Sequence, residues 1–187
     1  MWQSVQAGRS EGRAILDEQE LLRTDSMRLA ARLGLEYQHC REVGLPLAIM
    51  LCAPDAVGRI REAIGPGPAE ELLGAIVNRA GKYLLPSDWV WHFGSGRCLM
   101  VLPGEIAASA LAVAQNIRRY VAGLGPSVIV PFSVSISIGI ACVRGAAPMG
   151  DENVSTLLFS AKERLERARF GGGDRVIADD LDAAAAG

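Results

Sequence analysis

The chain has 187 residues, of which 50% are hydrophobic, and a formal net charge of −2. This length and composition predict one domain with a substantial core and an added segment. The near-neutral charge argues against a general nucleic-acid-binding protein, and the lack of a basic-then-apolar N-terminal pattern predicts a cytoplasmic location. The most apolar stretch, 127–143, contains Pro131 and alternating serines, which favour strands over a membrane span.

The first predicted elements are helical. Residues 1–13 are polar and contain glycine, 14–23 are rich in helix-forming residues, and 24–26 interrupt the pattern before a second helix over about 27–43. Asp25 or Ser26 can cap this second helix. The first helix has two interpretations, a stalk or dimerisation element and a frayed end. These patterns divide the chain into an N-terminal segment (1–24), a domain (25–178) and an acidic, alanine-rich tail (179–187).

The remaining elements alternate between strand and helix. The continuous apolar run 47–53 lies between two prolines and predicts a fully buried central strand. Two extended runs around Gly94-Ser95-Gly96 predict a β-hairpin over about 88–102. The other predicted elements are helices over about 56–64, 68–85, 105–123 and 153–170, a strand pair or bent strand within 127–143, and a short strand at 175–178. This mixture predicts an α/β or α+β fold with one central sheet.

Three aromatic residues alternate along the first strand of the hairpin, Trp89, Trp91 and Phe93, so their side chains share one face. If they are exposed, they form a candidate interaction surface for a partner protein. The alternative is that a helix covers them as part of the core.

The cysteines do not have the paired spacing of metal ligands, and three of the four fall in apolar strands. The sequence therefore predicts buried free thiols, with neither disulfides nor a metal site. The four residues are Cys40, Cys52, Cys98 and Cys142.

Several short patterns at fixed spacings together indicate a known family. Residues 46–65 match a pattern of strand, two aspartates, helix and glycine, and 73–88 keep the spacing from mid-helix to the acid before the hairpin. Residues 134–141 (VSISIGIA) and 157–176 are similar to the family's last long strand and closing helix. Over 25–176 the chain resembles the GGDEF domain, the diguanylate cyclase family. The resemblance implies a mostly antiparallel sheet flanked by helices, but it does not by itself imply activity.

In that family, two GTP-loaded domains face each other and condense their substrates into cyclic di-GMP, using carboxylates that bind Mg²⁺. The family signature Gly-Gly-Asp/Glu-Glu-Phe corresponds here to Gly94, Ser95, Gly96, Arg97 and Cys98. Gly96 therefore replaces an acid, and Arg97 replaces a metal-binding glutamate. The metal-binding aspartate of the first strand is Ala53, while the second aspartate is kept as Asp55. One acid is too few for a two-metal site, so the resemblance implies that no metal is bound.

The family's substrate contacts are also altered. The guanine-reading asparagine corresponds to Arg61, and its partner aspartate corresponds to Glu70. The family's phosphate-binding lysine corresponds to Arg169. Its arginine after the glycine corresponds to Gly173, and its lysine after the second aspartate corresponds to Gly58. Metal, base and phosphate contacts are thus all affected, and the loss of one such contact typically costs about 3–4 kcal/mol in a transition state.

The family's product-inhibition motif, Arg-x-x-Asp, corresponds to Leu85–Asp88, so the aspartate is kept and the arginine is lost. A second arginine on the following helix corresponds to Asn116. Arginines clamp the two phosphates of cyclic di-GMP in the family. Arg118 and Arg119 lie nearby on the same helix as candidate substitutes.

These replacements predict a catalytically inactive, cofactor-free GGDEF-like domain that acts by protein–protein interaction in bacterial cyclic di-GMP signalling. Its expected partner is another protein of such a pathway, a second copy of the chain, or both. The alternative is a non-catalytic receptor for cyclic di-GMP or GTP. The residual ligand-binding candidates are Asp55, Glu70, Asp88, Arg97 and Arg169. Arg97 has two possible interpretations. It contacts a phosphate or a partner's carboxylate, or it is a solvated turn residue.

Overall fold

The computed structural model of the chain describes residues 18–94, 96–124, 132–144 and 153–178, with the side chains of 18–25 left undescribed. The helices are α1 (Glu18–Glu42), α2 (Val57–Ile64), α3 (Pro66–Ala80), α4 (Ala107–Ala122) and α5 (Val154–Phe170). The strands are β1 (Leu47–Pro54), β2 (Trp89–Gly94), β3 (Arg97–Pro103), β4 (Ile136–Val143) and β5 (Val176–Ile177). The predictions for 1–17, 127–131 and the tail 179–187 lie outside the described residues.

The strands form one sheet in the order β2-β3-β1-β4-β5, with β1 at its centre. The pairs β1–β3, β1–β4 and β2–β3 are antiparallel, and only the short pair β4–β5 is parallel. All residues of β1 are buried except the half-buried Leu51, as its continuous apolar sequence predicts. The predicted mixed fold, the central strand and the hairpin are confirmed.

Helices cover both faces of the sheet because successive strand residues point to opposite sides. Met50 and Cys52 of β1 belong to a core cluster formed with α2, α3 and α4. Leu47 and Ile49 belong to a second cluster formed with α1 and α5. The resulting three layers place the end of β1 and the β2–β3 turn at one edge of the molecule.

The predicted interruption at 24–26 is wrong, because α1 runs without a break from Glu18 to Glu42. Residues 24–26 have only slightly unfavourable helix propensities, and each residue added to an existing helix gains a backbone hydrogen bond. The part of α1 that packs on the sheet begins after this segment, with one buried stripe made of Leu29, Leu33, Tyr37 and Cys40. The proposed boundary between the N-terminal segment and the domain therefore falls inside a helix. None of the described helices is both long and apolar enough to span a bilayer.

Candidate functional site

The hairpin turn that corresponds to the family signature packs closely on its neighbours. Gly96 is buried with φ +68°, and a Cβ atom built there would lie 2.8 Å from the Leu73 Cβ and 2.8 Å from the Pro54 Cγ. An acidic side chain at this position would require α3 or the end of β1 to shift. Ser95 lies outside the described residues, and Arg97 is exposed at the start of β3.

Asp55, the retained aspartate after β1, is held by donors of the protein itself. Its Oδ2 accepts a hydrogen bond from Ser135 Oγ at 2.7 Å, and its Oδ1 accepts one from Ser137 Oγ at 2.5 Å. The backbone N–H of Asp174 donates to the same Oδ2 at 2.9 Å. Ser137 is fully buried and pairs with Ala53 across β1 and β4. Both carboxylate oxygens of Asp55 therefore stabilise the fold.

The turn between α5 and β5 depends on a glycine beside Asp55. Gly173 has φ +74°, and a Cβ atom there would lie 2.8 Å from the Asp55 Cγ. Its small size lets the next residue, Asp174, reach Asp55 with its N–H. The Asp174 carboxylate also binds the guanidinium of Arg118, with Oδ2 and Nη1 2.9 Å apart. An arginine, the family residue at position 173, would clash with this arrangement.

Arg61 and Glu70, at the family's two guanine-contact positions, bind each other. Arg61 Nη2 donates to Glu70 Oε1 at 2.5 Å, and the two side chains are 43% and 40% exposed. The pair joins α2 to α3. Both side chains thus already have a partner of opposite charge within the chain.

The two arginines among the residual candidates, Arg97 and Arg169, are exposed and lie on different elements. Arg169 Nη1 lies 4.0 Å from Glu166 Oε1, one turn earlier on α5. Within the described part of the chain, no hydrogen bond or ion pair fixes the side chain of Arg97. The structure therefore brings Arg61 and Glu70 together but does not join them to Asp55, Arg97 or Arg169.

These residues do not fit a divalent cation. The side chain at position 53 is a methyl group, that at 97 is a guanidinium, and the oxygens of Asp55 accept three hydrogen bonds from the protein. Over the described residues, no group of three or more His, Cys, Asp or Glu side chains has a metal-binding arrangement.

Asp88, the acid kept from the inhibition motif, closes a local turn. Its Oδ2 accepts the backbone N–H of Leu85 at 2.7 Å. Burial raises the pKa of Asp88, and the nearby Glu105 raises it further, while the hydrogen bond from Leu85 lowers it. Leu85 itself is exposed. Its position therefore presents an apolar side chain where the family has an arginine.

The candidate substitutes on α4 are also engaged in local contacts. Arg118 binds Asp174, and Arg119 Nη2 donates to Asn116 Oδ1 at 2.8 Å. Arg118 and Arg119 are therefore not arranged as a preformed pair of phosphate ligands.

The three alternating aromatic residues are divided between the two alternatives, core and exposed surface. Trp89 is only 8% exposed because α1 covers it. Its indole Nε1 donates to Glu36 Oε2 at 3.2 Å, and the Arg32 guanidinium carbon lies 4.1 Å from the ring centroid. Trp91 is half-buried, and Phe93 is 44% exposed. Only the end of the strand nearest the turn remains available as a surface.

The sequence did not identify Ser135, Ser137 and Asp174 as partners of Asp55. The alternating serines in an otherwise apolar strand were the available signal, since two polar side chains on one buried face need acceptors. Their acceptor lies 80 and 82 residues earlier in the chain. The prediction of free cysteines is confirmed, and three of the four are buried.

Comparisons with known proteins agree on the family. The model of the family "Diguanylate cyclase, GGDEF domain" matches residues 26–175. The diguanylate cyclase DgcM of Escherichia coli K12 is 27% identical over 131 residues, which cover 70% of this chain and 30% of that protein. The chain thus spans less than a third of the length of this curated relative.

Two solved structures show the same fold. The active GGEEF domain of a diguanylate cyclase from Vibrio cholerae has a TM-score of 0.72 at 16% identity, over 81% of this chain and 94% of that one. The diguanylate cyclase SiaD of Pseudomonas aeruginosa, in complex with its activator SiaC, has a TM-score of 0.69 at 21% identity, over 81% and 57%. With the family model covering most of the chain, this protein belongs to the diguanylate cyclase GGDEF domain family.

Proposed function

We propose that this chain is a catalytically inactive GGDEF domain that acts by binding another protein in bacterial cyclic di-GMP signalling. The observation that carries the proposal is the state of the metal-site positions. Ala53 and Arg97 provide no carboxylate, and both oxygens of Asp55 accept hydrogen bonds from the protein. A divalent cation here would have to displace those donors and lie near a guanidinium, which opposes it electrostatically.

The base and phosphate positions support the same proposal. Arg61 and Glu70 neutralise each other at 2.5 Å, so guanine would have to break an existing ion pair. Gly173 leaves no side chain for a phosphate. Since each lost contact lowers the rate by about 10²–10³, several losses together remove catalysis.

The decisive test is incubation with GTP and Mg²⁺, using the active Vibrio cholerae GGEEF domain as the positive control. We expect no cyclic di-GMP above the level of a heat-denatured sample. Any cyclic di-GMP whose formation requires both GTP and Mg²⁺ would contradict the proposal.

An interaction role is supported by the exposed end of the aromatic strand and by the behaviour of a relative. Phe93 is 44% exposed next to the half-buried Trp91, and SiaD forms a complex with a protein activator. We expect a purified bait to retain a protein of a cyclic di-GMP pathway from a bacterial extract. The bait Phe93→Ser should lose it, while Phe159→Ser, on the exposed face of α5, should not. Equal retention by both variants would exclude this surface.

Self-association is the second form of the interaction proposal. On α1, Met27 and Leu35 are 73% and 70% exposed and lie eight residues apart, so they share one side of the helix. This side lies opposite the stripe that packs on the sheet. Light scattering should give a dimer mass for the chain and a monomer mass for the double variant Met27→Glu, Leu35→Glu. A monomer at all concentrations would eliminate the homodimer.

The alternative function is a receptor for cyclic di-GMP or GTP. Calorimetry with each nucleotide distinguishes this receptor from an interaction module. We expect no binding heat at micromolar concentrations, since Leu85 and Asn116 take the arginine positions and Asp88 is bonded to the backbone. Saturable heat that is lost in Arg97→Ala would favour the receptor over an interaction module.

A further inference from the structure

Two of the buried cysteines lie directly opposite each other on adjacent strands. Cys52 of β1 and Cys98 of β3 are cross-strand partners, with exposures of 1% and 0%. Their side chains point to the same face of the sheet and belong to the same core cluster. The proximity of Cys98 also raises the pKa of the Cys52 thiol. They therefore form a buried cross-strand pair of thiols immediately behind the signature turn.

The backbone pattern defines the type of this pair. Gly104 N–H donates to the Pro46 carbonyl at 2.8 Å. Pro46 and Gly104 are therefore a hydrogen-bonded pair, and in an antiparallel ladder such pairs recur every second residue. Cys52 lies six residues after Pro46, so Cys52 and Cys98 are also a hydrogen-bonded pair. Cα atoms in such pairs are about 5.5 Å apart, which falls within the usual disulfide range of about 4.4–6.8 Å. The backbone can therefore accept a disulfide without a change of register.

We propose that Cys52 and Cys98 are a site of reversible oxidation, at which a peroxide joins them in a disulfide that ties β1 to β3. In the first step, one thiolate attacks a peroxide oxygen, the O–O bond breaks, and a sulfenic acid and hydroxide form. The second thiol then attacks the sulfenic sulfur, and water leaves as the S–S bond forms. In total, two thiols and one hydrogen peroxide give one disulfide and two waters.

The reduced pair is protected at neutral pH. The hydrogen bond with Cys98 raises the pKa of the Cys52 thiol, and burial raises it further. Because the thiolate is the reactive form, oxidation is slow when the pH is well below this pKa and accelerates as the pH rises. Both sulfurs are also shielded from solvent, so a small oxidant has an advantage over a bulky one such as oxidised glutathione.

The disulfide would restrain the residues that flank it. Ala53 follows Cys52 directly, and Arg97 precedes Cys98, so the bond would fix the end of β1 to the start of the hairpin's second strand. The proposed interaction surface near Phe93 lies on the same hairpin. Oxidation is thus expected to slow hydrogen exchange of the amides at Gly94, Gly96 and Arg97.

The test is oxidation of the full chain with hydrogen peroxide at pH 7 and pH 8.5, followed by peptide mapping without reduction. We expect a mass loss of about 2 Da and a linked peptide pair containing Cys52 and Cys98. The rate should rise at least tenfold between the two pH values, and dithiothreitol should reverse the product. The oxidised chain should melt roughly 5–10 °C higher, since the bond closes a long loop.

A matched control is Cys142→Ala, which removes a cysteine outside the pair and should leave the product unchanged. Cys98→Ala should abolish it. The wild-type peptide map alone can decide the matter if that variant does not fold. The proposal would be overturned if Cys52 and Cys98 stayed reduced while Cys142 oxidised fully, if the linked peptides contained another pair, or if the rate did not depend on pH.

Discussion

Arg61 and Glu70 form an ion pair between α2 and α3, with Nη2 and Oε1 2.5 Å apart. In the family that this chain belongs to, the corresponding residues contact guanine. Here the acidic side chain is longer and the amide is replaced by a cation, so the two groups satisfy each other. The contact joins α2 to α3 at the positions that correspond to the family's guanine contacts.

The energetic coupling of this pair should be small. Because the side chains are 43% and 40% exposed, we expect a double-mutant cycle with Arg61→Ala and Glu70→Ala to give about 0.2–1 kcal/mol. Urea unfolding at low and high salt measures it, and the coupling should fall as salt rises. A coupling above about 2 kcal/mol would mean that the pair is less solvated than its exposure indicates.

Replacing Asp55 with alanine should strongly destabilise the fold. The change leaves the buried Ser137 hydroxyl and the N–H of Asp174 without their acceptor, and we expect a loss of about 2–4 kcal/mol in the free energy of unfolding. Chemical denaturation measures this loss. The exposed acid Glu62 on α2 is the matched control, for which alanine should change stability by less than about 0.5 kcal/mol. Similar effects at both positions would show that the Asp55 contacts contribute little.

Two glycines of the hairpin turn can separate backbone strain from a steric clash. Gly94 and Gly96 have φ of +79° and +68°, but a Cβ atom at Gly94 meets nothing within 4 Å, while one at Gly96 lies 2.8 Å from Leu73 and Pro54. Gly94→Ala should therefore cost about 1 kcal/mol, and Gly96→Ala should cost clearly more, about 2–4 kcal/mol. Equal losses on thermal unfolding would mean that α3 moves away without penalty. Restoring the family's acid at position 96 should be at least as destabilising.

Trp89 should contribute far more to stability than Phe93 on the same strand. Trp89 is 8% exposed and bonded to Glu36, whereas Phe93 is 44% exposed. We expect Trp89→Ala to cost about 3–5 kcal/mol and Phe93→Ala to cost less than about 1 kcal/mol. Glu36→Ala should also shift tryptophan fluorescence, because it removes the indole's acceptor. An unchanged emission spectrum would argue that α1 does not contact the indole in solution.

Asp88 should make the stability of the domain depend on pH. Its pKa is raised above the ordinary value of 3.8, so the folded state holds this proton more tightly than the unfolded state. Its contribution is therefore fully present below pH 3.8 and is lost as the pH rises through the raised folded-state pKa. We expect Asp88→Asn, which can still accept the Leu85 N–H, to flatten this part of the stability profile. Urea unfolding between roughly pH 3.5 and 7 tests it, and identical profiles for both proteins would contradict the assignment.

The sequence predicted most of the fold because its signals are local. The apolar run of β1, the glycines of the hairpin and the spacing of Leu157, Ala161 and Leu165 on α5 each describe a short segment and its buried face. The prediction was wrong at 24–26, where weak local helix propensity did not stop a helix whose later turns are anchored on the sheet from extending towards the N-terminus.

The sequence by itself determined which side chains stand at the positions where the family holds a metal, a base and phosphates. The identity of a residue at a given position follows from the sequence alone and requires no knowledge of its tertiary contacts. Only the tertiary structure decided what the retained charges do, since Asp55 meets Ser137 and Asp174 across 82 and 119 residues of chain. Side-chain contacts of this kind depend on strand register and helix placement, so no local pattern specifies them. The same holds for Cys52 and Cys98, which the β1–β3 register places side by side.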